Sequence, residues 1–302
     1  MLHLWHAPIY TDGIAPEARF PRERYARVRR GIEELGPSER VWFHEPEKLP
    51  CLDDLHLAHC PDYTSRFLTG SLGDKECKRI GLQPWTDAIV ERTLILTNGT
   101  ISATRKIAES GGVAGNLGGG THHAYFDFGS GYCIFNDLAI SARIAQRDHG
   151  MKRVLILDLD VHQGDGTAAI FENDPTVRTV SFHCGDNFPF RKMRSDHDQV
   201  FAKNTGDDEY LETLHEFLES EFERFEPDIL FYQAGVDGLI TDRLGQLSLT
   251  RGGLQTRNQL VFQFAKDHHL PLLITMGGGY GEPLETSIAA HVDVFLQAAD
   301  LG

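Results

Sequence analysis

Arg153 to Thr167, RVLILDLDVHQGDGT, constrains the chain more than any other stretch. Val154-Leu155-Ile156-Leu157 is a run of branched apolar residues such as a strand buried on both faces carries. Asp158, Asp160 and His162 follow at a spacing of two, and on an extended chain residues so spaced point to one side. Two carboxylates and an imidazole then converge past a strand's carboxyl end, where open α/β sheets keep their sites. Unpaired carboxylates so close to a core are costly, and a divalent metal is the economical explanation. Two plainer readings compete. An Asp at a strand end commonly caps the helix that follows. A calcium loop would need Gly at its sixth place and Glu at its twelfth. Counted from Asp158, those places hold Gln163 and Ala169, and a strand precedes instead of a helix.

A net charge of −15 over 302 residues argues against a nucleic-acid partner, which calls for a basic surface. It leaves room for a basic peptide substrate, which an acidic rim attracts. The sequence shows no basic and apolar leader, no long apolar run and no lipidation signal, so the expectation is a soluble cytoplasmic protein without a membrane partner. Five cysteines (51, 60, 77, 133 and 184) form no C-x-x-C pair and fit reduced thiols. Oligomeric state is left open.

Extended and helical patterns alternate along the chain. Strands are expected at 2–5, 41–44, 113–117, 153–160, 177–182, 229–234 and 272–275. Helices are expected over 20–35, much of 51–67, 84–108, 136–146, 167–172, 209–225, 254–266 and 284–298, with 69–81 a loop. Alternation of this kind predicts an α/β fold, a parallel sheet covered by helices on both faces. No repeat or linker divides the chain, so residues 1–302 read as one domain.

Three more strand ends carry chemistry. Gly118-Gly119-Gly120-Thr121-His122-His123 places an imidazole pair behind glycines that allow close backbone approach, as metal ligands or as acid/base groups. Gln233-Ala234-Gly235-Val236-Asp237-Gly238 offers another carboxylate, with a helix cap as its plain alternative. Met276-Gly277-Gly278-Gly279-Tyr280-Gly281 sets a phenol donor among glycines.

These four motifs, in this order, resemble those of the histone deacetylase family: the His-His pair, D-x-D-x-H followed by G-D-G, A-G-x-D and G-G-G-Y. The resemblance runs from about Leu2 to Gly281 and beyond. Phe20-Pro21, His162-Gln163, Asp242-Arg243-Leu244-Gly245 and Arg257 to Phe262 look most like the class IV branch and its bacterial relatives. The resemblance implies an arginase/deacetylase-like fold with about eight mostly parallel strands. It implies that Asp160, His162 and Asp237 bind one Zn²⁺, and O and N donors would also accept Fe²⁺ or Co²⁺. By the same carry-over, Asp158 orients His122 and Asp165 orients His123. His123 is then the general base toward the attacking water and the acid toward the leaving amine, His122 is mainly electrostatic, and Tyr280 donates to the acyl oxygen. Gly131 and Tyr132 match the family's Gly-aromatic pair along the channel for the acyl-lysine stem, and Leu244 and Gly278 are implied as further substrate-binding residues. A structural K⁺ is implied at Asp158, Asp160, His162 and Ser181.

Some features depart from that pattern. Tyr132 stands where many relatives have Phe. No loop Asp that grips a peptide backbone can be placed; Asp74 and Glu76 lie in a plausible loop. The implied activity is hydrolysis of an acyl-lysine amide in a protein or peptide. An acetylpolyamine or other small N-acyl amine is the alternative substrate, but Leu244 stands where a polyamine would want a carboxylate. A two-metal amidinohydrolase would need a second D-x-D, and Gly238-Leu239 follows Asp237 instead. A non-catalytic acyl-lysine binding module would not need Tyr280 and both His. The class IV likeness implies tolerance of long acyl chains. Glycines 118–120 and 277–279 would leave room beside the metal for them, or serve only close backbone packing, the commoner use of such glycines; acetyl and longer acyl groups are both expected to be cleaved.

Overall fold

The computed structural model describes residues 1–37 and 39–301. Eight strands make one sheet: β1 Leu2–Trp5, β2 Val41–His44, β3 Val113–Asn116, β4 Val154–Asp158, β5 Val177–Cys184, β6 His197–Phe201, β7 Ile229–Gln233 and β8 Leu272–Thr275. Every neighbouring pair is parallel, in the order β2-β1-β3-β8-β7-β4-β5-β6. β4, β7 and β8 are buried at every residue, as their unbroken apolar runs require when helices cover both faces. Helices Arg24–Leu35, Leu284–Ala299, Arg251–Asp267 and Asp207–Phe225 pack in series as one layer, and Ile89–Ser110, Asp137–His149 and Asp165–Phe171 as another.

This sheet order explains why motifs far apart in sequence meet. In register, Asp158 lies beside Gln233 and Ser181, Gln233 beside Thr275, and Thr275 beside Asn116. The strands therefore end level, and each of the four motifs begins at or just past its strand end. Alternation of strands and helices in the sequence was sufficient for the fold class.

The structure corrects three local expectations. Residues 69–81 are not all loop: Asp74–Ile80 is helical, with Glu76 reaching back to the Gly73 N–H at 3.0 Å. Only Ile80 of that helix is buried, so it shows no apolar period to read. The helix expected from Pro84 begins at Ile89, because Trp85 packs edge-on against Phe67 (5.9 Å between centroids) and Thr86 Oγ1 donates to Gly13 O at 2.7 Å. β6, at the sheet edge, is an added strand, mostly polar and burying only Phe201, which gives it no apolar pattern to read. All five cysteines are unpaired. No helix among the described residues is long and apolar enough to cross a membrane.

Candidate active site

β4 ends at Asp158, two residues short of the expected strand, and Asp160 and His162 follow in a bend in which the His162 N–H donates to Asp160 Oδ1 at 3.0 Å; Asp237 comes from the loop after β7. One donor atom from each lies within 4.8 Å of the other two, and all three residues are buried. His162 Nδ1 stands 3.1 Å from Asp160 Oδ1 and 3.0 Å from Asp237 Oδ2. Both carboxylates are held from behind. Gln233 Nε2 (2.9 Å) and the Gly278 N–H (2.7 Å) donate to Asp160 Oδ2, and the Val161 N–H donates to Asp237 Oδ1 (2.9 Å). Asp237 therefore does not cap a helix.

This donor set fits a divalent ion. Two acids face one base in a buried site, and burial together with the Asp160 carboxylate pushes Asp237 up to about 7. A cation removes that repulsion. Two oxygens and one imidazole nitrogen with an open side are the ligands catalytic zinc uses, and the orienting hydrogen bonds are those a metal site needs around it. Among the described residues this is the one cluster of three such donors. Gly278 is required for close approach: a Cβ there would stand 2.6 Å from Asp237 Cγ and 2.9 Å from Asp160 Oδ2.

The two histidines sit beside this cluster with unlike partners. His122 Nδ1 lies 2.6 Å from Asp158 Oδ2, and His123 Nδ1 lies 2.6 Å from Asp165 Oδ1. Tyr125 OH donates to the other Asp165 oxygen at 3.0 Å. Burial works against charge on His122, yet Asp158 and Asp160 together raise it to about 9. Burial and the neighbouring His122 charge lower His123 to about 4, against its bond to Asp165. Adjacent imidazoles are thus poised oppositely, one charged and one neutral. Their rings are only 4.0 Å apart, which is why charge on one excludes it from the other.

Tyr280 is set by its backbone, whose N–H donates to Asp242 Oδ2 at 2.6 Å. Asp242 in turn accepts from the Leu244 (2.8 Å) and Gly245 (2.9 Å) amides. Burial, with Asp237 and Asp160 nearby, raises the phenol far above its ordinary range, so it remains a donor at any working pH. Buried Arg24 holds the glycine loop by donating to Gly277 O (2.8 Å) and Gly279 O (3.1 Å), and its guanidinium lies 5.4 Å from the Tyr280 ring centroid.

A cavity of about 400 Å³ leads from the surface to these groups, lined by Tyr132, Phe188, Leu244, Gly131, His123, His162 and Tyr280 among others. Gly131 (φ +52°) brings the wall against His123; a Cβ there would lie 2.6 Å from His123 Cδ2. Phe188 meets His123 edge-on at 4.9 Å. Behind the donors is a smaller cavity of about 50 Å³, bordered by Arg24, Arg92, Tyr25, Leu96 and glycines 119, 120, 277 and 278.

The sequence-predicted residues His122, His123, Asp158, Asp160, His162, Asp165, Asp237, Gly278 and Tyr280 meet here, with Gly131, Tyr132 and Leu244 along the way in. Ser181 is buried beside Asp158, its hydroxyl 3.0 Å from His183 Nδ1. Asp74 and Glu76 are not loop carboxylates facing the site: Asp74 opens the 74–80 helix, and Glu76 is taken by Arg66 at 2.8 and 2.9 Å. Arg24, Phe188, Gln233 and Asp242 were not singled out. Gln233 and Asp242 lie inside quoted motifs, which was their signal; Arg24 and Phe188 had none.

Residues 18–295 match the histone deacetylase domain family. The chain belongs to the histone deacetylase family. It is 42% identical over 294 residues to an uncharacterized protein of Picosynechococcus sp., covering 97% of each chain. It is 35% identical to histone deacetylase 2 of Arabidopsis thaliana, covering 93% of this chain and 74% of that one. Against histone deacetylase 1 of Homo sapiens it is 30% identical, over 80% of this chain and half the length of the human protein. The crystal structure of the HDA15 HD domain superposes with a TM-score of 0.82 at 19% identity, over 98% of this chain and 90% of that one, which shows the shared fold. Membership in the histone deacetylase family supports a deacetylase hydrolase, generally metal-dependent.

Proposed function

We propose that this chain is a zinc-dependent lysine deacetylase, hydrolysing the amide between a short acyl group, acetyl above all, and the ε-amine of a lysine in a protein or peptide. One observation carries the reading. Three buried donors lie together, and one of them, His162, lines a cavity walled by Tyr132 and Phe188 that His123 and Tyr280 line as well. Zn²⁺ held by Asp160, His162 and Asp237 would supply Lewis acidity, polarising the acyl carbonyl and acidifying the attacking water; Fe²⁺ or Co²⁺ suit the same donors.

This chain's own residues do the rest. Asp165 engages His123 Nδ1, which leaves Nε2 to take the proton from the attacking water and to return it to the leaving amine. Asp158 engages His122 in the same way, and the charge on His122 favours the developing oxyanion. The Tyr280 hydroxyl donates to the acyl oxygen as negative charge gathers there. Tyr132 and Phe188 flank the lysine stem and exclude water. K⁺, structural and close to Asp158, Asp160, His162 and Ser181, belongs to the same reading.

The acyl group is the side on which the inner cavity bears. At about 10–15 Å³ per water-sized site, its volume of about 50 Å³ corresponds to a handful of waters, with two guanidiniums at its border. That supports acetyl and disfavours the long chains expected from the class IV likeness. The test is turnover by the zinc-loaded protein of one peptide carrying acetyl-, octanoyl- or myristoyl-lysine, with acetylspermidine alongside. Acetyl-lysine must give the highest kcat/KM. Turnover of the polyamine alone would move the substrate to small N-acyl amines, and no turnover of any of them would defeat the reading.

A further inference from the structure

The helix Asp74–Ile80 ends at the mouth of the cavity, and its last turn is joined to the channel wall. The Gly131 N–H donates to Arg79 O at 3.3 Å and the Tyr132 N–H to Ile80 O at 2.7 Å. Arg79 is thereby placed relative to the wall that Tyr132 forms, and its side chain lines the same mouth. Two contacts orient the guanidinium: Nε donates to Gly129 O at 3.0 Å, and the group lies 4.1 Å over the Phe128 ring. Neither terminal nitrogen has an acceptor among the described residues. Nearby Glu76 is already held by both of its oxygens to Arg66.

A guanidinium braced on one side, with its outer edge open, is a preorganised fork for a planar anion. We propose that Arg79 reads a carboxylate carried by the substrate next to the acylated lysine. The inference rests on the acyl-lysine reading of the site and names a substrate class within it. That carboxylate is the α-carboxylate of a free or C-terminal acyl-lysine, or the acidic side chain of a neighbouring residue. Asp186, on the loop after β5, lines the mouth as well and disfavours an anion on its own side, which leaves Arg79 to set the orientation. The net charge of −15 repels anions at a distance, but at physiological salt that field decays over about 8 Å. Within contact range the fork decides. Phe190, 92% exposed at the same mouth, offers an apolar face to whatever residue flanks the lysine.

Four matched substrates test this with the zinc-loaded full chain: an internal acetyl-lysine peptide with Glu or with Gln beside the lysine, and a peptide ending in acetyl-lysine as the free acid or as the amide. At least one carboxylate member is expected to be preferred roughly fivefold to tenfold in kcat/KM, chiefly through KM, as suits one charge-assisted pair at a wet rim. The responding pair identifies the source of the carboxylate. In Arg79→Gln the preference falls to about one, and in Arg79→Lys it returns in part, with thermal melting showing that both variants fold. Ratios near one for both pairs in the wild type, or a preference that survives Arg79→Gln, overturn the proposal. If none of the four is hydrolysed, the acyl-lysine reading itself falls. Calorimetric binding of the same four ligands then judges Arg79 separately, because the carboxylate members must still bind more tightly to the wild type than to Arg79→Gln.

Discussion

Gly278→Ala adds one methyl group to the site without touching a ligand. The substitution keeps the backbone N–H that donates to Asp160 Oδ2. A Cβ at this place, however, would stand 2.6 Å from Asp237 Cγ, and an ordinary contact needs about 3.4 Å or more. The carboxylate must therefore retreat by at least about 0.8 Å, and farther at Oδ2, which is the atom nearest to that Cβ. The opposite side gives no relief, since Asp160 Oδ2 is only 2.9 Å from the same Cβ. Metal–ligand bonds tolerate about 0.2 Å, and a working site about 0.5 Å, so the displacement exceeds both. Perturbing groups that merely orient ligands costs 10- to 100-fold in metal affinity. Moving a ligand should reach the upper end, a 100-fold loss of zinc affinity or about 2.8 kcal/mol. Competition with a chromophoric chelator measures it directly, with far-ultraviolet circular dichroism to show that the sheet is intact. Wild-type affinity in a folded Gly278→Ala protein would refute the assignment of Asp237 as a ligand.

Tyr280→Phe removes one hydroxyl and should keep metal content and melting temperature while kcat falls about 10² to 10³-fold; an unchanged kcat would mean that the phenol is not aimed at the acyl oxygen. Asp160→Ala should lose bound metal outright, because one of three protein ligands is gone, and a full equivalent by elemental analysis would contradict it. Acid should destabilise the fold through His59, which is fully buried, accepts the Asn136 N–H at 2.8 Å and is lowered by burial to about 4. Between pH 6.5 and 4 the unfolded chain binds this proton and the folded one does not, so stability falls as pH falls, by about 3 kcal/mol across the window. Urea titrations at pH 7 and 4.5 should show a smaller acid loss in His59→Gln, which keeps an acceptor, than in the wild type; equal losses would clear His59.

The parts of the site legible in the sequence are those that follow a strand directly. A buried parallel strand is an unbroken apolar run, so the first polar residues after it stand out, and Asp158, Asp160, His162, His123, Asp237 and Tyr280 all occupy such places. Arg24 could not be read this way. It reaches Gly277 across 253 residues, and in sequence it is one of several arginines on an amphipathic helix. Phe188 lies in an irregular segment where an aromatic carries no periodic signal. The Asp74–Ile80 helix was hidden for the opposite reason, being almost entirely polar and closed by a Glu76 cap and an Arg66 ion pair that only the folded chain assembles. Apolar period reveals what is buried, and these elements act from the rim or through long-range contact.

The position of β8 has a consequence for how the chain is made. It lies between β3 and β7, so the first three strands and the next four form two half-sheets that share no strand hydrogen bonds until residues 272–275 exist, although their helices 89–110 and 137–149 already pack together. At 5–20 residues per second, synthesis reaches them roughly 15–55 s after it begins. From the time each is made until β8 arrives, the inner edges of β3 and β7 present open rows of N–H and C=O groups that pair readily with another strand. The last seam to close in the finished molecule is thus an adhesive surface of the nascent one, and a ribosome-associated holdase would protect it until the eighth strand arrives.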